Sequence, residues 1–244
     1  MKRVIGCSLL AFFVLLLLSP GADAGLGGLG KLAKAKKLTE DDIGDVLKRI
    51  EQTKADFTGA TKCINQSRDV LFDISATSEA KEQLKAKESA LAAAADDEEK
   101  QRITVEIQTM KDAEIERANK SGELKKKKLQ GKQLKNAGKL MWNLALATYK
   151  DKKVLDNTKK LKKDAPNAVK SAKSSKLQAA KGASKIGAIN EAVKKDIPMI
   201  LMEAPKQLKT LKAFMSAAKA LRKSNKIEKV GKPKKDDTYQ ELDF

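Results

Sequence analysis

Hydrophobic residues recur every three or four positions over most of the chain beyond residue 39, and this spacing predicts α-helices. Thr39 is a good N-cap, and the acidic residues Glu40, Asp41 and Asp42 that follow it suit the first turn of a helix. The pattern predicts one helix of more than thirty residues, about 50 Å long at 1.5 Å per residue. Its apolar or small row consists of Val46, Ile50, Thr53, Phe57, Ala60, Ile64, Ser67, Leu71 and Ile74.

Two breaks are predicted after this helix. A first break falls at residues 75–78, where Ser78 is placed to cap a second helix. A second falls at the acidic residues 96–99, which favour a bend or turn with Asp96 or Asp97 as the N-cap; the alternative is a helix that continues through them. A solvated helix start explains these acids better than a cation site, because no glycine-containing calcium loop surrounds them.

The segment 139–149 concentrates apolar bulk on more than one helical face. Such a helix must be covered on more than one side, so we predict a central bundle helix. A partner or a membrane is the alternative cover, although about ten apolar residues fall short of the roughly 20 that span a bilayer. The predicted core or interface residues are Leu140, Trp142, Leu144 and Leu146.

Proline and small residues punctuate the second half of the chain. The central helix that contains Trp142 is predicted to end near Lys163. A new helix is predicted to begin at residues 164–166, because proline is tolerated in the first turn of a helix. Two rows of small residues between 179 and 188 predict close helix packing. The apolar cluster 197–202, with Pro198 and Pro205 around it, predicts a turn followed by a short helix and a kink before a last helix over 206–224.

The composition completes the fold prediction. Helix-forming residues dominate, and aromatics make up 4% of the 244 residues, which favours thin packing. We predict an all-α, elongated bundle of about five to six mostly antiparallel helices over 39–225, some of them long and coiled-coil-like. Residues 25–38 are predicted to be flexible and basic, and 226–244 to be a disordered tail. Alternatively, Tyr239, Leu242 and Phe244 make that tail a short docking peptide.

Residues 1–24 have the layout of a cleaved secretory signal. Two basic residues precede an apolar core, and the stretch ends in the small-residue pattern Ala22-Asp23-Ala24. We therefore predict an exported protein, periplasmic or secreted, with an uncleaved N-terminal anchor as the alternative. Cleavage leaves Cys63 as the one thiol, which is then either a buried apolar residue or an intermolecular disulfide in a homo-oligomer.

Charge is concentrated in the second half. The net charge is +19, and residues 120–235 hold 33 basic and 8 acidic groups. Such a field attracts anionic partners, so we predict contact with an anionic membrane surface or an envelope polymer. The Lys-Ala-Ser composition of residues 159–185 resembles linker-histone tails, but the leader disfavours nucleic acid, and no sequence-specific nucleic-acid binding is predicted. The predicted contact residues are Lys125, Lys126, Lys127, Lys128, Lys152, Lys153, Lys159, Lys160, Lys162 and Lys163.

Motifs for catalysis do not occur in the sequence. Histidine is absent, and neither a phosphate-binding glycine loop nor a nucleophile-elbow pattern is found. We predict no catalytic residues, metal site or cofactor, and hence a non-enzymatic interaction or scaffold protein. The alternative is a membrane-active bundle, similar in outline to α-helical pore-forming proteins, which would use the apolar stretches 140–147 and 197–202.

Overall fold

Three long helices form the body of the protein in the computed structural model, which describes residues 40–174 and 181–243. A two-helix arm, two shorter helices and a π-helical turn complete the helical elements of the described residues. Their bounds are α1 Glu40–Ser75, α2 Ser78–Ala93, α3 Asp97–Lys120, α4 Glu123–Lys126, α5 Gly131–Ser174, α6 Lys181–Glu191, the π turn Ala192–Asp196 and α7 Ile197–Asn225. The segments predicted as signal peptide and basic N-terminus lie outside the described residues.

Ion pairs and hydrogen bonds define the directions of the long helices. Arg49 on α1 binds Asp164 on α5, 2.9 Å apart, so the start of α1 faces the later part of α5. Thr61 bonds Gln207 of α7, and Lys54 pairs with Asp196 just before α7. Helix α1 is therefore antiparallel to α5 and parallel to α7.

Burial confirms the all-α bundle predicted from the spacing. Every one of the nine residues in the predicted row on α1 is buried. On α5, Leu140, Leu144 and Leu146 have no exposed surface, and Leu211 and Phe214 of α7 are likewise buried. Apolar side chains of α1, α5 and α7 therefore form a long core between the three helices.

Helices α2 and α3 form an arm beside the bundle. The predicted break near residue 77 is confirmed, but the cap is Thr77 rather than Ser78, because Thr77 Oγ1 accepts the Ala80 amide at 3.2 Å. The acidic cap is confirmed as well, since Asp96 Oδ1 accepts the Glu99 amide at 2.7 Å. The arm is thin: Ala80 is the buried residue of α2.

The predicted helix end near Lys163 is wrong, because helix α5 continues through Pro166 to Ser174. Proline removes one bond to the carbonyl four residues earlier, which costs about 3 kcal/mol in a helix interior. The buried residues Ala165 and Ala168 flank the proline and keep both sides of it packed on the core, which offsets that cost.

The region of α6 and α7 also differs from the prediction. The turn and short helix expected at 197–205 are replaced by a π turn leading directly into α7, with Pro198 in its first turn and Pro205 inside it. Among the predicted small-residue rows, Ser184, Gly187 and Ala188 are exposed. The larger side chains Ile186 and Ile189 make the packed face instead, because they bury more apolar surface.

Residues 226–243, hereafter the tail, have no regular secondary structure but lie against the bundle. This differs from the predicted disordered tail. Leu242 is 5% exposed and belongs to the main core cluster, while Asn136 and Asn143 of α5 each form two hydrogen bonds with tail backbone. These polar contacts, which apolar patterning cannot reveal, hold a segment that has little apolar surface of its own.

Candidate functional site

The predicted cationic residues form two separate groups. Lys125, Lys126, Lys127 and Lys128 lie in α4 and the loop after it, at the N-terminal end of α5. The second group begins at Lys152, more than twenty residues along α5. With a rise of 1.5 Å per residue, the two groups are about 30 Å or more apart. They must be considered as two surfaces rather than one.

The second group covers the solvent side of α5. Intervals of seven, four and seven residues put Lys152, Lys159, Lys163 and Lys170 along one line about 27 Å long. The opposite side of the same turns is packed into the core. We call the exposed set the basic face; its members are Lys152, Lys159, Lys160, Lys162, Lys163 and Lys170, all exposed.

Few acids neutralise the basic face. Within residues 40–174 and 181–243, no ion pair involves the six lysines of this face. Asp156 is the exposed acid among them, and nearby Asp164 is already bound to Arg49. Lys153, which the sequence grouped with these residues, lies instead with its Nζ 4.5 Å from the centre of the Tyr149 ring. Lys153 thus lies beside the basic face, next to Tyr149, and is not one of its members.

The first group has a more mixed environment. Lys128 donates to the Ser224 carbonyl at 2.8 Å and fastens this loop to the end of α7. Arg117, at the end of α3, is bound to Glu114 and Glu123. Its guanidinium lowers the pKa of both carboxyl groups. Two acids, both bound by Arg117, therefore stand near Lys125–Lys127, whereas the basic face has the single exposed acid Asp156.

Trp142 occupies a half-buried position between core and surface. Its neighbours Leu140, Leu144 and Leu146 point into the core, but its indole Nε1 donates to the Thr238 carbonyl of the tail at 3.0 Å. Trp142 is thus covered by a segment of the same chain.

Cys63 is a free, buried thiol 3.7 Å from the Ser67 hydroxyl. Burial raises its pKa to about 12, although the hydrogen bond with Ser67 opposes the shift. A thiol so enclosed is a poor nucleophile and cannot reach a second chain without local opening. The intermolecular disulfide remains a prediction, and this packing does not favour it.

A polar cluster beneath the tail was not predicted from the sequence. Asp151 has no exposed surface, and burial raises its pKa to about 7. The Gln207 amide nitrogen faces both carboxylate oxygens at 3.1 Å while its oxygen accepts from Thr61; the reverse orientation would oppose two acceptors. The hydroxyl of Tyr239 is buried without a hydrogen-bond partner, and its pKa is raised by burial first and then by nearby Cys63 and Asp151.

The sequence offered one usable sign of this polar region. Asn136, Asn143 and Asp151 interrupt the apolar side of α5 at positions where the helix is otherwise packed. A buried polar residue needs a hydrogen-bond partner, so such interruptions indicate a polar contact. The partners of the two asparagines lie about 100 residues further along the chain, and Asp151 faces Gln207. Helical periodicity carries no information about these partners.

No group of three metal-binding side chains occurs in the described part of the chain. No helix in the same part combines the length and apolar character needed to cross a membrane.

No protein-family model, no curated protein and no solved structure matches this chain.

Proposed function

We propose that the protein is an exported, non-enzymatic helical scaffold whose basic face binds an anionic surface. The observation that carries the proposal is the line of unpaired lysines along about 27 Å of α5. The leader pattern in residues 1–24 supports export and hence access to an envelope surface.

The arrangement of the lysines suits a flat, repetitive anion. Lysine is a flexible point charge that does not demand a fixed geometry, in contrast to the planar fork of arginine. Near an anionic membrane each basic residue contributes about 1 kcal/mol, and the contribution falls off within a Debye length. Because α5 is one continuous helix packed against α1 and α7, the charges are presented on a rigid support.

A vesicle experiment tests the proposal. Protein beginning at Gly25 is sedimented with phosphatidylglycerol vesicles and, separately, with phosphatidylcholine vesicles, each at low and high salt. We expect binding to the anionic vesicles that weakens at least tenfold as salt rises, and little binding to the neutral ones. Replacing Lys152, Lys159 and Lys163 with Gln should weaken binding at least tenfold, since three such charges contribute about 3 kcal/mol before screening.

The matched control removes the same charge elsewhere. Gln at Lys125, Lys126 and Lys127 also lowers the net charge by three, but at the surface that has neighbouring acids. A much smaller loss is expected there. Equal losses in the two triple variants would show that net charge, rather than the basic face, determines binding. Salt-independent binding to neutral vesicles would contradict the proposal altogether.

The apolar stretches that suggested a membrane-active bundle have another use in this fold. Leu140, Leu144, Ile197 and Ile200 are buried between helices, and among the large residues of these two stretches Met202 is exposed. A membrane-active form would have to uncover the core. Dye release from the same anionic vesicles checks this alternative, and we expect no leakage at saturating protein.

A further inference from the structure

The tail lies along α5 like a bound peptide. Asn143 donates from Nδ2 to the Gln240 carbonyl at 2.7 Å and accepts the Gln240 amide at 2.7 Å. Asn136 repeats this arrangement with Asp243, at 2.6 and 3.0 Å. Each asparagine therefore satisfies both backbone groups of one tail residue, as a neighbouring β-strand would.

The spacing of the two asparagines fits an extended chain. Seven residues of α-helix rise about 10.5 Å, and three residues of extended chain cover about 10 Å. The contacts run from Asn143 with Gln240 to Asn136 with Asp243, so the tail is antiparallel to α5. Both asparagines are buried. The tail itself covers them, so its backbone groups take the place of the water that would otherwise bond these amides.

Side-chain contacts add selectivity to this backbone recognition. The Tyr239 ring rests on Gly59 of α1, where a Cβ atom would stand 3.2 Å from Cε2. Lys150 Nζ lies 5.4 Å from the centre of the same ring. Two residues beyond Gln240, Leu242 enters the core, and Lys139 pairs with Asp243 at 3.1 Å. The contacted residues of the tail, 239–243, have the pattern Tyr-x-x-Leu-Asp.

The stretch leading to these contacts is exposed. Gly231, Lys232 and residues 234–236 are exposed, and the turn at Asp237 is closed locally by its own backbone and carboxylate. The docked residues 238–243 are thus joined to the bundle through an exposed segment, residues 231–236, that makes few contacts with the bundle. Occupancy in cis is favoured by this tether, which supplies an effective concentration of about the millimolar order.

We propose that the groove formed by Asn136, Lys139, Trp142 and Asn143 of α5 with Gly59 of α1 is a binding site for extended acidic peptides of the pattern Tyr-x-x-Leu-Asp presented by another chain. The chain's own residues 238–243 fill it in cis. This binding site is separate from the basic face and does not depend on the function proposed above.

Cleaving the exposed segment 231–236 in the folded protein tests the proposal. A site for a specific protease is inserted between Gly231 and Asp236, and the protein is cleaved after folding, so that the tail becomes a separate peptide. A labelled peptide spanning Asp236–Phe244 is then titrated, and its anisotropy is measured. We expect saturable exchange with a dissociation constant of micromolar order. In the uncut protein the tether should weaken apparent binding at least tenfold.

Trp142 gives an independent readout because it is the one tryptophan in the chain. Dilution of the cut protein should shift its emission to the red as the Thr238 contact is lost, and added peptide should reverse the shift. Asn143→Ala should weaken peptide binding at least tenfold. Asn157→Ala, on the same helix outside the groove, should change it less than twofold.

The peptide side provides a sharper control. Replacing its tyrosine with phenylalanine should leave binding equal or tighter, because the Tyr239 hydroxyl is buried without a partner. Replacing the same tyrosine with alanine should abolish saturable binding. The proposal is overturned if the cut protein keeps its helical circular dichroism but shows no saturable exchange, or if Asn143→Ala and Asn157→Ala bind the peptide equally.

Discussion

Asp151 should make the stability of the protein depend on pH in a direction opposite to that of most carboxyl groups. It is wholly buried on α5, and burial raises its pKa from 3.8 to about 7. The folded state therefore binds this proton more tightly than the unfolded state does. Between about pH 4 and pH 7 the folded state holds more protons, so the free energy of unfolding falls as pH rises through that window.

The size of the effect follows from the shift. Three pKa units correspond to about 4 kcal/mol over the whole window, an upper value because the Gln207 amide donates to the ionised carboxylate and opposes the rise. Between pH 5 and pH 8 the part due to Asp151 is about 2–3 kcal/mol, because the carboxyl is already mostly ionised in the unfolded chain at pH 5 and the part of the window below pH 5 is left out. Asp151→Asn replaces the titratable carboxyl group with an amide of nearly the same shape. The variant should therefore be more stable than the wild type at pH 8 and lose that advantage at pH 5.

Urea unfolding followed by circular dichroism at pH 5 and pH 8 measures the effect. The quantity of interest is the difference in unfolding free energy between variant and wild type, because the other titrating groups cancel in it. Asp156→Asn is the matched control, since Asp156 lies exposed on the same helix. It should change stability by no more than about 0.5 kcal/mol at either pH. If the advantage of Asp151→Asn is the same at pH 5 and pH 8, the reasoning from burial is refuted.

Three further predictions concern the core and the helix backbone. The Cys63 thiol should not react with an aromatic disulfide reagent at pH 8 in the folded protein and should react fully in urea, because burial raises its pKa to about 12; rapid native reaction would contradict this. Leu144→Ala should lower the unfolding free energy by about 2–5 kcal/mol in urea titrations, since Leu144 has no exposed surface. Pro166→Ala should raise the thermal midpoint by restoring a backbone bond worth about 1 kcal/mol or more, and an unchanged midpoint would show that the proline costs nothing there.

Helical periodicity predicted the parts of the fold that depend on apolar burial. The row on α1 is long and regular, so local pattern and tertiary packing agree over 36 residues. Pro166 misled the prediction because local preference was overridden by packing of Ala165 and Ala168 on the core. The small residues near 187 misled it for a related reason: close packing needs a facing helix, and in this fold the isoleucines of α6 face the bundle.

The candidate surfaces were predictable to different degrees. Charge counting found the lysines, but only helix geometry divides them into the basic face and the group at 125–128. The groove was missed because its two sides, at Asn143 and Gln240, are separated by 97 residues. The tail has little apolar content, so its sequence alone predicts disorder. The hydrogen bonds from Asn136 and Asn143 to its backbone are what that prediction left out.

The π turn between α6 and α7 bears on how the chain tolerates changes in length. Buried residues are spaced by three up to Ala192, but the next buried residue is Ile197, five positions on, which one π turn accommodates. This turn already contains one residue more than an α-helix requires. Loss of a single residue among 193–196 would restore ordinary helical spacing, whereas the same loss in the middle of α1 would rotate every later core residue by about 100° away from the core.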